Sequence, residues 1–213
     1  NPGIRISGYN SITTSGGTGS ISLTGTANYL TAGNSAVRME TDNDRITSSG
    51  DLIVNGNGKT VDILGRATVT GTTGITAGAQ SVTLGNTSND FGGAVTVVSS
   101  GNLSLIDSNT MTLGAVTASG TVDIATLTGN LTLTGAVQTT DATANAIKLN
   151  AEKNKAAGDG TGGNIIITGG SVSTGAGGFA TLYSGKVADS TGLTALIGSG
   201  SGHFRYNSDE AAS

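Results

Sequence analysis

The chain contains no cysteine, no tryptophan and one proline, and its aromatic residues amount to 3% of 213 positions. Each shortage excludes an architecture. Without cysteine there is no disulfide scaffold. With one proline, and glycine not falling at every third place, there is no collagen helix. Too few aromatics are present to fill the space between the facing sheets of an immunoglobulin-like sandwich, which often buries a tryptophan. A transmembrane barrel wants aromatic girdles and strands of about 9–11 residues, and the sequence offers neither. The longest aliphatic run, Ile165-Ile166-Ile167, is far below the roughly 20 residues of a membrane helix, so no membrane insertion is expected. Charge is scarce as well. Ten basic residues, thinly spread against 14 acidic ones for a net −4, make no basic patch for nucleic acid.

What is present is small. Gly (36), Ser (23) and Thr (34) together make 93 of the 213 residues, and Gly and Thr are poor helix formers. Such chains often stay unfolded. Here Val, Ile, Leu and Phe supply 46 residues, just above the roughly 20% below which high-charge chains are usually disordered. The core is therefore expected to be narrow and aliphatic, in one domain. The start at Asn1, without Met or a hydrophobic leader, suggests a mature or excised segment.

The dominant pattern is a short unit of Gly, any residue, apolar, polar, apolar. Examples are Gly19-Ser20-Ile21-Ser22-Leu23, Gly50-Asp51-Leu52-Ile53-Val54, Gly101-Asn102-Leu103-Ser104-Leu105 and Gly129-Asn130-Leu131-Thr132-Leu133. Alternation with period two is a strand with one buried face. The strands are three to five residues long, recur every 8 or 9 positions, and no convincing amphipathic helix interrupts them. Even spacing of short strands means a sandwich, barrel or solenoid. A solenoid alone is satisfied by one or two inward aliphatics per strand, because each coil stacks on the next. The expected fold is all-β, a single-stranded parallel β-helix over residues 1–182. Coils of roughly 17 to 22 residues give about ten to twelve of them and a rod on the order of 50 Å long. Residues 27–47 and 150–163 read as departures, with 151–163 a protruding loop, and 183–213 as an irregular cap or a linker to further modules.

At the level of these repeats the chain resembles the β-strand-repeat regions of large secreted bacterial proteins of the filamentous haemagglutinin, two-partner-secretion type. The resemblance is carried by TSNDFGGAVTVVSSGNLSLIDSNTMTLGAVTASGTVDIATLTGNLTLTGAV (87–137) and by LYSGKVADSTGLTALIGSGSGHFRYNSDE (182–210). It implies a right-handed helix, export through an outer-membrane partner, an extracellular or cell-surface location, and adhesive or fibre-building roles. The partners it implies are tandem modules of the same kind and a glycan or protein on a host or neighbouring cell. The amino-terminal secretion module of that family is not in this sequence.

Parallel β-helices also host polysaccharide lyases and hydrolases, whose chemistry needs nearby carboxylates. The best local constellation is Glu40, Asp42, Asp44 and Arg45, with Asp51 close in sequence. Charges on a solvated loop are the preferred reading, and Asp42 with Asp44 is the catalytic alternative. Asp90, Asp107, Asp123 and Asp141 recur at near-coil spacing, which is taken as coincidence because stacked carboxylates repel. His203 is the only histidine, so no multi-histidine metal site forms. Its neighbours Phe204, Arg205 and Tyr206 suit a cap over the last coil. Asp159 in a glycine-rich stretch lacks the repeated Asp of calcium-binding repeats, and Lys59 and Lys186 lack the spacing of a phosphate loop. The pairs Thr68/Thr70, Thr126/Thr128 and Thr132/Thr134 suggest an outward threonine array of the ice-binding kind, with plain β-propensity preferred. Asn86, Asn102 and Asn130 stand in glycosylation sequons. No catalytic residue, metal or cofactor is assigned, and the binding residues stay open.

Overall fold

The alternating triplets form strands that pair only in parallel, each with the strand one coil away. The computed structural model describes residues 2–26, 35–156 and 159–197. Three sheets run along it. The first is the longest continuous wall, ordered Ile4–Ile6, Ser35–Met39, Thr60–Ile63, Val82–Leu84, Leu103–Asp107, Val122–Thr126, Ile147–Asn150 and Ala180–Tyr183. The second holds Ser11–Thr13, Arg45–Ser48, Arg66–Val69 and Asp90–Phe91. The third runs from Ile21–Thr24 through Leu52–Asn55, Thr73–Thr76, Val95–Ser100, Met111–Ala118 and Leu131–Leu133 to Ile165–Ile167. Val137–Thr139 and Val172–Ser173 complete it on the far half of Met111–Ala118. The molecule is a parallel β-helix.

Register explains the core. On the first sheet Val37, Val61, Val82, Leu103, Val122 and Ile147 stack in line. Leu84, Leu105, Ile124 and Leu149 form the parallel column. All of these are buried, in one continuous cluster. Each aliphatic meets a like neighbour at about 4.8 Å, so a thin interior is filled without large side chains. Phe91 is an exception and one of the largest buried residues. It sits at the last strand of the second sheet, where the cross-section changes. Beyond it, coils pass from the first sheet to the third, whose strand lengthens to Met111–Ala118 and then pairs with two strands, Leu131–Leu133 and Val137–Thr139.

The first sheet marks eight coils among the described residues, not ten to twelve, and about 34 Å from first to last at about 4.8 Å per step. Steps between register partners are 21, 21 and 19 in the middle (Val61, Val82, Leu103, Val122). They are 33 at the first coil (Ile4 to Val37) and at the seventh (Ile147 to Ala180), so these two steps take about one coil's worth of extra residues, and a further 30 residues follow Tyr183, where the last described strand ends. The seventh contains the expected loop. Among the described residues no strand lies between Asn150 and Ile165, and the loop is fastened where Glu152 accepts the Gly163 N–H at 2.6 Å. By contrast, 35–48 is regular solenoid with two strands, against the expected departure over 27–47. Residues 27–34 lie outside the described residues. At the other end, Leu193 of the short helix Leu193–Ile197 is buried in the core cluster, and Ile167 donates to the Thr191 carbonyl at 2.8 Å. His203 and the aromatic string 203–206 lie outside the described residues.

Candidate functional site

Corners, rather than faces, hold the polar chemistry of this fold. The glycine that opens the sequence unit sits where successive coils approach too closely for a side chain. Gly50 donates to the Gly19 carbonyl at 2.8 Å and Gly71 to the Gly50 carbonyl at 3.0 Å. A Cβ on Gly71 would lie 2.7 Å from that carbonyl oxygen. The residue after the glycine reaches along the stack. Asp51 accepts the Thr72 N–H at 2.8 Å, Asn102 that of Thr121 at 3.0 Å, Asn130 that of Asn164 at 2.8 Å, and Asn164 that of Lys186 at 2.9 Å. The "any residue" of the repeat is thus an oxygen-bearing side chain wherever it closes this bond. Two of the three sequon asparagines, Asn102 and Asn130, belong to this set. Asn86 donates to the Leu64 carbonyl and accepts from Ser88.

A second polar column is buried, at the corner that ends the first sheet. Asp44 accepts the N–H groups of Asn10 (3.0 Å) and Thr41 (3.1 Å). Asn89 accepts from Ala67 N (2.8 Å) and donates to the Leu84 and Ile106 carbonyls. Asp107 accepts from Phe91 N and Asn109 N, both at 3.0 Å, and Thr126 accepts from Glu152 N at 2.9 Å. All four residues are fully buried. Burial pushes the Asp44 carboxyl up, but the backbone donors together outweigh it and hold it below the ordinary carboxylate range. At Asp107 burial wins, assisted by the charge of Asp90, and the carboxyl is pushed up to about 6 despite the backbone donors of Asn109, Phe91 and Ser108.

The acidic constellation read from the sequence is therefore dispersed. Glu40 lies on the outer face of the first sheet with Arg5 at 2.6 Å and Arg38 at 3.7 Å, and the Arg5 hydrogen bond holds it below the ordinary carboxylate range. Asp44 is buried, and Asp51 serves the next corner. The Asp90, Asp107, Asp123 and Asp141 series is likewise not a site. Asp107 points inward, Asp123 pairs with Lys148 at 3.3 Å on the outer face, and Asp141 accepts from Thr143 within its own turn. Asp159 does the same with Thr161 and faces Lys155 at 3.4 Å. Lys186 pairs with Asp189. Thr126 is inward, so the threonine pairs do not line up as one outward array. Among the described residues no three metal-ligating side chains converge.

Asp42 and Arg45 remain, and they open on a cleft of about 330 Å³ shared with Arg66 and the turn Asn86–Ser88. Its origin is a difference in corner length. The second coil turns through residues 40–44 and the fourth through 85–89, whereas the third turns through Leu64 and Gly65 alone. The short corner leaves a notch between two longer ones. Arg45 and Arg66, register partners on the second sheet, stand beside it. Sequence reasoning weighed Arg45 but not Arg66; the signal was the unequal spacing between successive strand units.

Fold and corner columns together define a β-solenoid repeat protein. The chain belongs to the family described as Repeats of unknown function (DUF5649), whose model matches residues 41–98 and again 100–162. The first match spans coils with all three sheets, and the second spans coils without the second sheet. No curated protein and no solved structure matches the chain.

Proposed function

We propose that the chain is a non-enzymatic structural or adhesive module, a β-helical stalk or fibre segment of a large secreted bacterial protein at the cell surface. The observation that carries this reading is where the polar side chains go. Asp51, Asn102, Asn130 and Asn164 at the corners are engaged in coil-to-coil hydrogen bonds, and the aliphatics of the first sheet form unbroken columns, which is the construction of a stiff spacer. The likeness of the 87–137 repeats to filamentous haemagglutinin-type regions supports the bacterial surface setting and export through an outer-membrane partner. Coil ends are sheet edges, which suits tandem modules stacking into fibres. Electron microscopy of the full-length parent protein tests the reading. Thin unbranched rods spanning the repeat region are expected, and a globular particle with no extended segment overturns it.

A further inference from the structure

The notch at the third coil brings together two cations that lack ion-pair partners among the described residues. Among the described residues Arg5 and Arg38 face Glu40, and Arg38 also faces Asp62. Arg45 and Arg66 face no carboxylate of the described residues within ion-pair distance. Arg45 donates through one guanidinium nitrogen to the carbonyls of Asp42 and Asp44. The Arg66 guanidinium donates to no group among the described residues, and its Nε is buried without a partner. Two like charges directly opposite on neighbouring strands destabilise a sheet, and a buried unpaired donor costs more. An anion between the two guanidiniums reverses the first effect.

The lining narrows the class of anion. Paired planar forks match a carboxylate bidentately. Asp42 stands on the same cleft, so a multiply charged phosphate or sulfate meets repulsion there, whereas a hydroxyl finds an acceptor. Thr87 and Ser88 add hydroxyl groups, and the volume lies at the small end of ligand clefts, room for one or two sugar rings. We propose that this notch binds the carboxylate of an acidic saccharide, a uronic-acid unit, with Arg45 and Arg66 holding the carboxylate and Asp42, Thr87 and Ser88 facing the ring hydroxyls. The assignment goes beyond the stalk reading, which stands or falls separately on imaging.

Amide NMR of the isotopically labelled chain, titrated with digalacturonate, galactobiose and sulfate, tests it. Digalacturonate is expected to shift the amides of 42–45, 66 and 86–88 saturably, galactobiose to leave them in place, and sulfate to bind more weakly than the uronate. Arg66→Gln is expected to weaken digalacturonate about tenfold or more, the loss of a charge-assisted pair. Arg66→Lys weakens it too, since a point charge does not replace the fork. The same spectra report whether each variant is folded, and the wild-type comparison of acidic with neutral sugar stands without either variant. No saturable shift at these amides, an equal response to galactobiose, tighter binding of sulfate, or unchanged affinity in a folded Arg66 variant would each overturn the proposal.

Discussion

Asp107 shows how much a single side chain was open to reading. Period-two parity from Leu103 and Leu105 already places residue 107 on the inner face, and the structure buries it there. Recurrence at near-coil spacing hid this, because spacing along the chain carries no information about which face a residue takes. The titration consequence has a definite sign. Unfolded, the carboxyl ionises near its ordinary 3.8; folded, it holds its proton to about 6. Between those values the native state binds more protons, so this residue's contribution to stability falls as pH rises from about 4 to 6, then stays flat. Asp44 acts oppositely, adding stability above the ordinary carboxylate range that is lost as pH falls through its lowered value. The Asp107 part is isolated by urea unfolding of wild type and Asp107→Asn across pH 4–7. Relative to the variant, wild type loses on the order of 2–3 kcal/mol over that range. A difference that does not change with pH contradicts the burial account.

At the scale of strands and corners, most of the fold was legible. The leading glycine, the alternation and the strand length were each visible, and the glycines do stand at corners where carbonyls of the neighbouring coil crowd the Cα. Corner length was visible only as the unequal spacing of successive strand units, 40–44 and 85–89 against Leu64 and Gly65, a signal independent of where charged residues cluster, and the notch beside Arg66 depends on that difference. The loss of the second sheet after Phe91 was not legible; there Met111–Ala118 turns Met111, Leu113, Val116 and Ala118 inward through a phase slip at Gly114-Ala115. One element carries an apparent error in its column. Thr73 stands between Leu52 and Val95 on the inner row of the third sheet, is buried, and its Oγ1 has no partner. Thr73→Val removes a buried hydroxyl at nearly constant volume and is expected to raise stability by about 1 kcal/mol. Chemical denaturation measures it, and a loss of stability means that the hydroxyl has a partner in solution.

The whole molecule is a stack, and its length follows from its insertions. Dividing 213 residues by a uniform coil gives too many turns, because the first and seventh steps take 33 residues each and 30 residues follow Tyr183, where the last described strand ends. What holds the stack is the coil-to-coil register of the first sheet, the most continuous feature of the protein. Its outward positions Thr83 and Ser104 are register partners on adjacent coils, so their Cα atoms stand about 4.8 Å apart, within the 4.4–6.8 Å or so that a disulfide spans. Thr83 and Asp123 share the same outward row two coils apart, at about 9.6 Å, beyond that reach. The native absence of cysteine makes the test clean: paired substitutions Thr83→Cys with Ser104→Cys, and Thr83→Cys with Asp123→Cys, oxidised while folded. The stacked β-helix predicts rapid, near-complete intramolecular crosslinking of the first pair and none of the second. Crosslinking of the second pair in preference to the first would contradict it.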